Sequence, residues 1–214
     1  MSEITRLREI VKRNITRIAN YINSDLAVVF PEFCNIMSIE SKTSLVILEK
    51  YTLPSVIFRH SPSDLVGNAR KNGNYKFSKE RAERLIKVSF ESIGIPDPDG
   101  AYTFRIRIHA KMLRSDIYYL KETENKIEET CYGNTDIRNT SDMRGMSVVA
   151  AARIVSEIGS IDQFHPALKL HSYAGRCPNM TRSGRKSYAR RLTRLRSKYL
   201  SNAIHESSIK LVRY

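Results

Sequence analysis

The chain has 214 residues, enough for one large or two small domains. Its 36 Lys+Arg against 22 Asp+Glu give a formal net charge of +14 and a pI near 9.8, a balance that favours nucleic acid or an anionic surface as partner. No apolar run approaches the roughly 20 residues that span a bilayer, and Met1 to Val11 lacks the apolar core of a signal peptide, so no membrane-spanning helix is expected and the cytoplasm is the expected location.

Residues 4–22 read as one helix. Ile4, Leu7, Val11, Asn14, Ile18 and Tyr21 alternate at spacings of three and four, the seam of a coiled coil, and an ordinary amphipathic core helix fits the same pattern. Pro31 in Phe30-Pro31-Glu32-Phe33 ends it. Ser41 to Lys50 follows as a short helix. Residues 59–77, rich in Asn and Gly, read as a loop. Ser78 is a good N-cap for a helix through Ile93, closed by Gly94. Asp97 and Asp99 then form either a turn or the beginnings of a metal site, and the flanking prolines favour the turn.

Residues 102–131 form the longest expected helix, with Ile106, Ala110, Leu113, Ile117, Leu120, Glu124, Ile127 and Cys131 on a heptad seam. Two such helices pair either within one chain or between two, so a homo-oligomer joined through the coiled coil is expected. From Gly133 the pattern changes to short helices: Ser147 caps one through Ile158, Gly159 closes it, and Pro166 opens another that ends at Gly175. That pair is similar to a helix-hairpin-helix, in which amides at a helix start meet a phosphate. The last helix is expected over Tyr188 to Val212. The resulting class is all-α: a two-helix coiled-coil stalk over residues 1–132 with a helical insertion at about 34–101, then a compact helical domain over 133–214.

The run His171 to Lys198 carries the functional signal. It holds Arg176, Arg182, Arg185, Lys186, Arg190, Arg191, Arg194, Arg196 and Lys198 and no acidic residue. Unpaired cations in that number cannot enter a core, because each would lose its hydration with nothing in return. The run therefore faces water, as a solvated basic helix end, or a polyanion such as DNA. Ser183-Gly184 in its middle sets a hydroxyl among guanidinium groups that match the geometry of a phosphodiester. A phosphate-loop motif does not fit, since Asn179 occupies its first glycine position and Arg185 its lysine position. Tyr173 and Tyr188 are candidates for base stacking or for core packing. His171 and His205 are candidate bases or surface residues. Cys34, Cys131 and Cys177 are far apart and form neither a disulfide framework nor a zinc motif.

The last eighty residues resemble the C-terminal domain of insertion-sequence one-ten family transposases, the bridge-RNA-guided recombinases related to the Piv invertases. Ala151, Ala152, Glu157, Ile158 and Gly159 match the family's AAxxxxEIG helix. Lys169, Leu170, Tyr173, Ala174 and Gly175 match its KLxxYAG helix, and Ser183-Gly184 and Tyr199-Leu200 its SG and YL pairs. FPEF and SKTSLVILEKY are similar to the family's middle region. The resemblance implies a serine, here Ser183, that attacks a DNA phosphate and forms a phosphoserine link. It implies DNA and a structured guide RNA as partners. It also implies magnesium held by four acids of a RuvC-like domain, which the resemblance places upstream of the helix beginning at Met1; that half of the active site is expected to be absent from this chain, and no residue of this chain is assigned to the metal. The sequence departs from the family at Arg144-Gly145-Met146-Ser147, where the family has proline and a second glycine, and at Arg194-Leu195-Arg196-Ser197, where it has Lys-Arg-Gly-Asn. Two other accounts stay open: a nucleic-acid-binding protein without chemistry, and a coiled-coil remnant.

Overall fold

The computed structural model describes residues 1–72, 77–165, 167–175, 178–183, 186–192 and 197–213, with the backbone alone at 167, in 178–183 and 186–192, and at 213. Among them run α1 (Ser2–Val29), α2 (Phe33–Ile36), α3 (Lys42–Lys50), α4 (Pro54–Ile57), α5 (Pro62–Lys71), α6 (Lys79–Phe90) and α7 (Ala101–Cys131). They are followed by α8 (Thr135–Ser141), α9 (Val148–Ile158), a 3-10 turn (Ile161–Phe164), α10 (Ala167–Tyr173), strands β1 (Pro178–Ser183) and β2 (Lys186–Leu192), and α11 (Lys198–Arg213). The architecture is all-α apart from the β1–β2 hairpin. The residues cluster into two compact units, Ile10–Lys121 and Met1–Glu9 with Glu122–Tyr214.

Within Ile10–Lys121, α1 and α7 run antiparallel. Arg105 Nη2 meets Asp25 Oδ1 at 3.0 Å, and the rings of Tyr21 and His109 stack 5.4 Å apart. On α7 the expected seam faces the core: Ile106, Ala110 and Leu113 are fully buried. On α1 it does not. Val11 and Ile18 are buried as expected, but Ile15 and Ile22 replace Asn14 and Tyr21, and Tyr21 is 47% exposed. A straight helix repeats every 3.6 residues and drifts off a 3.5-residue seam along its length.

The residues between α1 and α7 wrap a single core. α3 is buried on all sides from Thr43 to Leu48 and starts at Ser41, whose side chain accepts from Ser44 N. Residues 59–77 hold a helix rather than the expected loop. α5 opens on a capping box in which the Ser61 hydroxyl accepts from Asp64 N and the Asp64 carboxylate accepts from Ser61 N, with Pro62 in the first turn. Leu65, Val66 and Ala69 give α5 a buried face, which outweighs its Asn and Gly content. α6 starts at the expected cap, Ser78, and ends at Phe90, three residues short of the expected Ile93, because residues 92–95 fold back onto the end of α1. There Ile95 N donates to Val28 O at 2.9 Å, and Ile93 N and Ser92 Oγ donate to the Glu32 carboxylate at 3.1 and 2.7 Å. A Cβ on Gly94 would lie 2.0 Å from Val29 O, so only glycine fits this crossing. Asp97 is a helix cap: its carboxylate accepts from Tyr102 N, Thr103 N and Thr103 Oγ1 at the start of α7.

In the other unit, Ile127, Cys131, Ile137, Ala151 and Ala152 form the core, with Ile4, Met146, Val149 and Val155 packed against it. α8 is capped by Asn134, and α9 by Ser147, which accepts from Ala150 N. α9 ends at Gly159 with φ 67°. The connection to α10 carries the 3-10 turn, so it is longer than a tight hairpin. α11 packs on α9 and buries Leu200 and Ala203. It begins ten residues later than expected, at Lys198, because Tyr188 to Leu192 belong to β2.

Candidate nucleic-acid interface

The basic run folds as an antiparallel β-hairpin, with Arg182 paired to Ser187, Thr181 to Tyr188 and Met180 to Ala189. Ser183 is the last residue of β1 and pairs with Lys186, so it stands at the hairpin tip, separated from β2 by Gly184-Arg185. Of the residues singled out in the sequence, Arg182 and Ser183 lie in β1; Lys186, Arg190 and Arg191 lie in β2; and Lys198 opens α11, exposed. Arg176, Arg185, Arg194 and Arg196 lie outside the described residues. His171 and His205 are exposed, on α10 and α11 respectively. Tyr173 has its ring 5.3 Å from that of Phe164.

Charge is concentrated in this hairpin and its flanks. Outside residues 176–198 the unit carries nine Lys+Arg against eleven Asp+Glu; inside that stretch there are nine cations and no acid. The helical body is thus slightly acidic and the basic excess sits on the excursion. Cations on the body are largely spoken for. Arg153, 4% exposed, meets Glu9 Oε1 at 2.6 Å and Glu206 Oε2 at 2.7 Å, and Arg8 meets Glu124 Oε1 at 2.6 Å. Burying Arg153 is tolerable because both neighbours neutralise it.

The two feet of the hairpin are tied at one residue, Glu157 of α9. Arg6 Nε donates to Glu157 Oε1 at 2.8 Å and Arg6 Nη2 to Oε2 at 3.3 Å. Ser197 Oγ donates to the same Oε2 at 3.2 Å, and Tyr173 OH donates to Glu157 O at 3.4 Å. Ser197 N donates to Tyr173 O at 3.0 Å, closing the excursion, and Ser197 Oγ accepts from Leu200 N at 3.2 Å to cap α11. The Arg6 guanidinium lies 5.1 Å from the centre of the Tyr199 ring. Hydrogen bonding to Glu157, and then its charge, raise the Arg6 pKa above the ordinary value. Neither Arg6 nor Ser197 stands out in the sequence as a member of this group; Glu157 stands out only through the family pattern.

Among the described residues no group of three or more His, Cys, Asp and Glu is placed to hold a metal ion, so these residues do not fit a magnesium centre. Among them, too, no helix is long and apolar enough to cross a membrane.

Residues 138–214, from within α8 to the end of the chain, match the family model described as Transposase IS116/IS110/IS902 family. The match takes in Glu157 and the whole hairpin, so this part of the chain is similar to the transposases of that family. No curated protein and no solved structure matches the chain.

Proposed function

We propose that the chain binds DNA through the basic β-hairpin and that Ser183 is the nucleophile of strand cleavage and exchange. The observation that carries the reading is the position of Ser183: a hydroxyl at the tip of a hairpin whose strands and flanks hold nine cations and no acid, inside the transposase-family match. A serine there meets a phosphodiester backbone while guanidinium and ammonium groups along the strands offset its charge. In the cleavage step Ser183 Oγ bonds to phosphorus as the bond from phosphorus to one deoxyribose oxygen breaks. The serine proton leaves to solvent and a proton from solvent completes the departing hydroxyl, so the step involves no net oxidation. Exchange reverses it, with a hydroxyl of another strand displacing the serine.

A serine hydroxyl is a weak nucleophile until a base or metal activates it. Magnesium, implied by the family resemblance, would supply that activation when bound; no step is assigned to it here because the described residues do not fit it. A second reading, DNA binding without chemistry, is favoured by the same observation. A structured guide RNA and a second copy of the chain belong to the proposal as partners of the complete assembly.

The test is covalent capture. The purified chain is incubated with end-labelled duplex DNA and magnesium and run on a denaturing gel. The proposal predicts a protein-linked DNA band that Ser183→Ala abolishes while binding persists. Binding without any captured band assigns the chain to the second reading.

A further inference from the structure

Glu157 is nearly fully buried, and every polar contact the structure gives its side chain leads to something outside α9. On one side lies Arg6, from the first turns of α1. On the other lies Ser197, the residue at which the basic excursion ends and α11 begins. Its main-chain oxygen takes the Tyr173 hydroxyl, three residues before the excursion begins at Arg176. Tyr173 and Ser197 flank the stretch that carries the two strands, so contacts at these two feet bear on where the tip points. A buried carboxylate is a costly way to fasten such feet, since without its cationic partner it is an unpaired buried charge.

We infer that Arg6, Glu157 and Ser197 form a clamp that fixes the direction of the basic hairpin, making Glu157 a positioning residue for polyanion binding at the tip. The clamp joins three places that are distant in sequence: the start of α1, the end of α9 and the cap of α11. Arg6 neutralises the Glu157 carboxylate, which is then free to hold Ser197 by hydrogen bonding. Ser197 in turn closes the excursion through its amide to Tyr173 O and caps α11 through its hydroxyl. The clamp does not touch DNA. It reduces the ordering that the hairpin would otherwise undergo on binding, the usual benefit of preorganisation. The inference rests on the proposed DNA-binding role only for the identity of the ligand.

Simple electrostatics and the clamp make opposite predictions for Glu157→Gln. Losing a negative charge beside a basic surface strengthens attraction for a polyanion, whereas losing the clamp weakens binding by about tenfold, since an unfastened hairpin must be ordered at each encounter. The experiment measures affinity of the full chain for a 30-base-pair duplex at fixed salt for Glu157→Gln, Ser197→Ala and Ser197→Thr, together with hydrogen exchange of the free proteins. The expected result is weaker binding by Glu157→Gln and Ser197→Ala, near-normal binding by Ser197→Thr, which keeps the hydroxyl, and faster exchange confined to peptides within residues 173–200. Equal or tighter binding by Glu157→Gln overturns the clamp. So does exchange that rises equally through α7, α8 and α9, which marks Glu157 as a residue of general stability. Should the wild-type chain bind no DNA, the functional reading falls, and the exchange pattern alone decides the clamp.

Discussion

Asp25 shows how a single buried carboxyl shapes this protein. It is 2% exposed on α1; one oxygen meets Arg105 at 3.0 Å, and the other has no hydrogen-bond partner among the described residues. Burial raises its pKa above the ordinary value, while Arg105 and His109 of α7 pull the other way. With a raised folded pKa, the native state holds a proton that the unfolded chain releases. Stability from Asp25 is therefore fully present below the ordinary Asp pKa and is lost as pH rises through the folded value. Asp25→Asn is expected to flatten the pH dependence of urea unfolding over that window, and an unchanged profile would show that Asp25 titrates normally. Single residues of this kind were unevenly legible in the sequence. Ser78 and Ser147 announced themselves as caps because the signal is local: a hydroxyl just before an apolar-periodic run. Glu157 and Ser197 did not, because their partners stand 151 and 40 residues away from Glu157.

At the scale of elements, the two misread stretches failed for different reasons. Residues 59–77 are rich in loop formers, yet Ser61-Pro62-Ser63-Asp64 is a complete helix start and Leu65, Val66 and Ala69 supply a buried stripe. Ser61→Ala is expected to cost about 1 kcal/mol in urea unfolding, within the range for losing an N-cap, and to raise the Asp64 pKa part of the way, since the hydroxyl that holds it low is lost while the backbone amide at 61 still donates. A loss below a few tenths of a kcal/mol would mean α5 does not depend on its cap. The hairpin was missed because arginine and lysine are good helix formers and the run Tyr188 to Arg196 lacks the alternation of a half-buried strand. Its strands are defined by backbone pairing, which leaves no hydrophobic period to read in so basic a run; the Ser-Gly step at 183–184 was a local sign of a turn.

At the scale of the whole molecule, composition and fold can be set side by side. The net charge of +14 pointed to a polyanion, and the fold shows where much of it lies in the unit formed by Met1–Glu9 and Glu122–Tyr214: on one 23-residue excursion from a body that is otherwise slightly acidic. The all-helical class and the long α7 seam were readable because both depend on period and length. The point at which α1 departs from a strict seam was not, since it depends on what packs beside the helix. We propose this excursion as the DNA interface. The measurement that tests it most directly is duplex affinity across a salt series, comparing the wild-type chain with an Arg190/Arg191/Arg194→Ala triple variant. If three of the released counterions belong to these arginines, the slope of log affinity against log salt becomes shallower by roughly 2 to 3, from about 0.9 per phosphate contact. A slope that the triple variant leaves unchanged, or no binding by the wild type at low salt, would contradict the account.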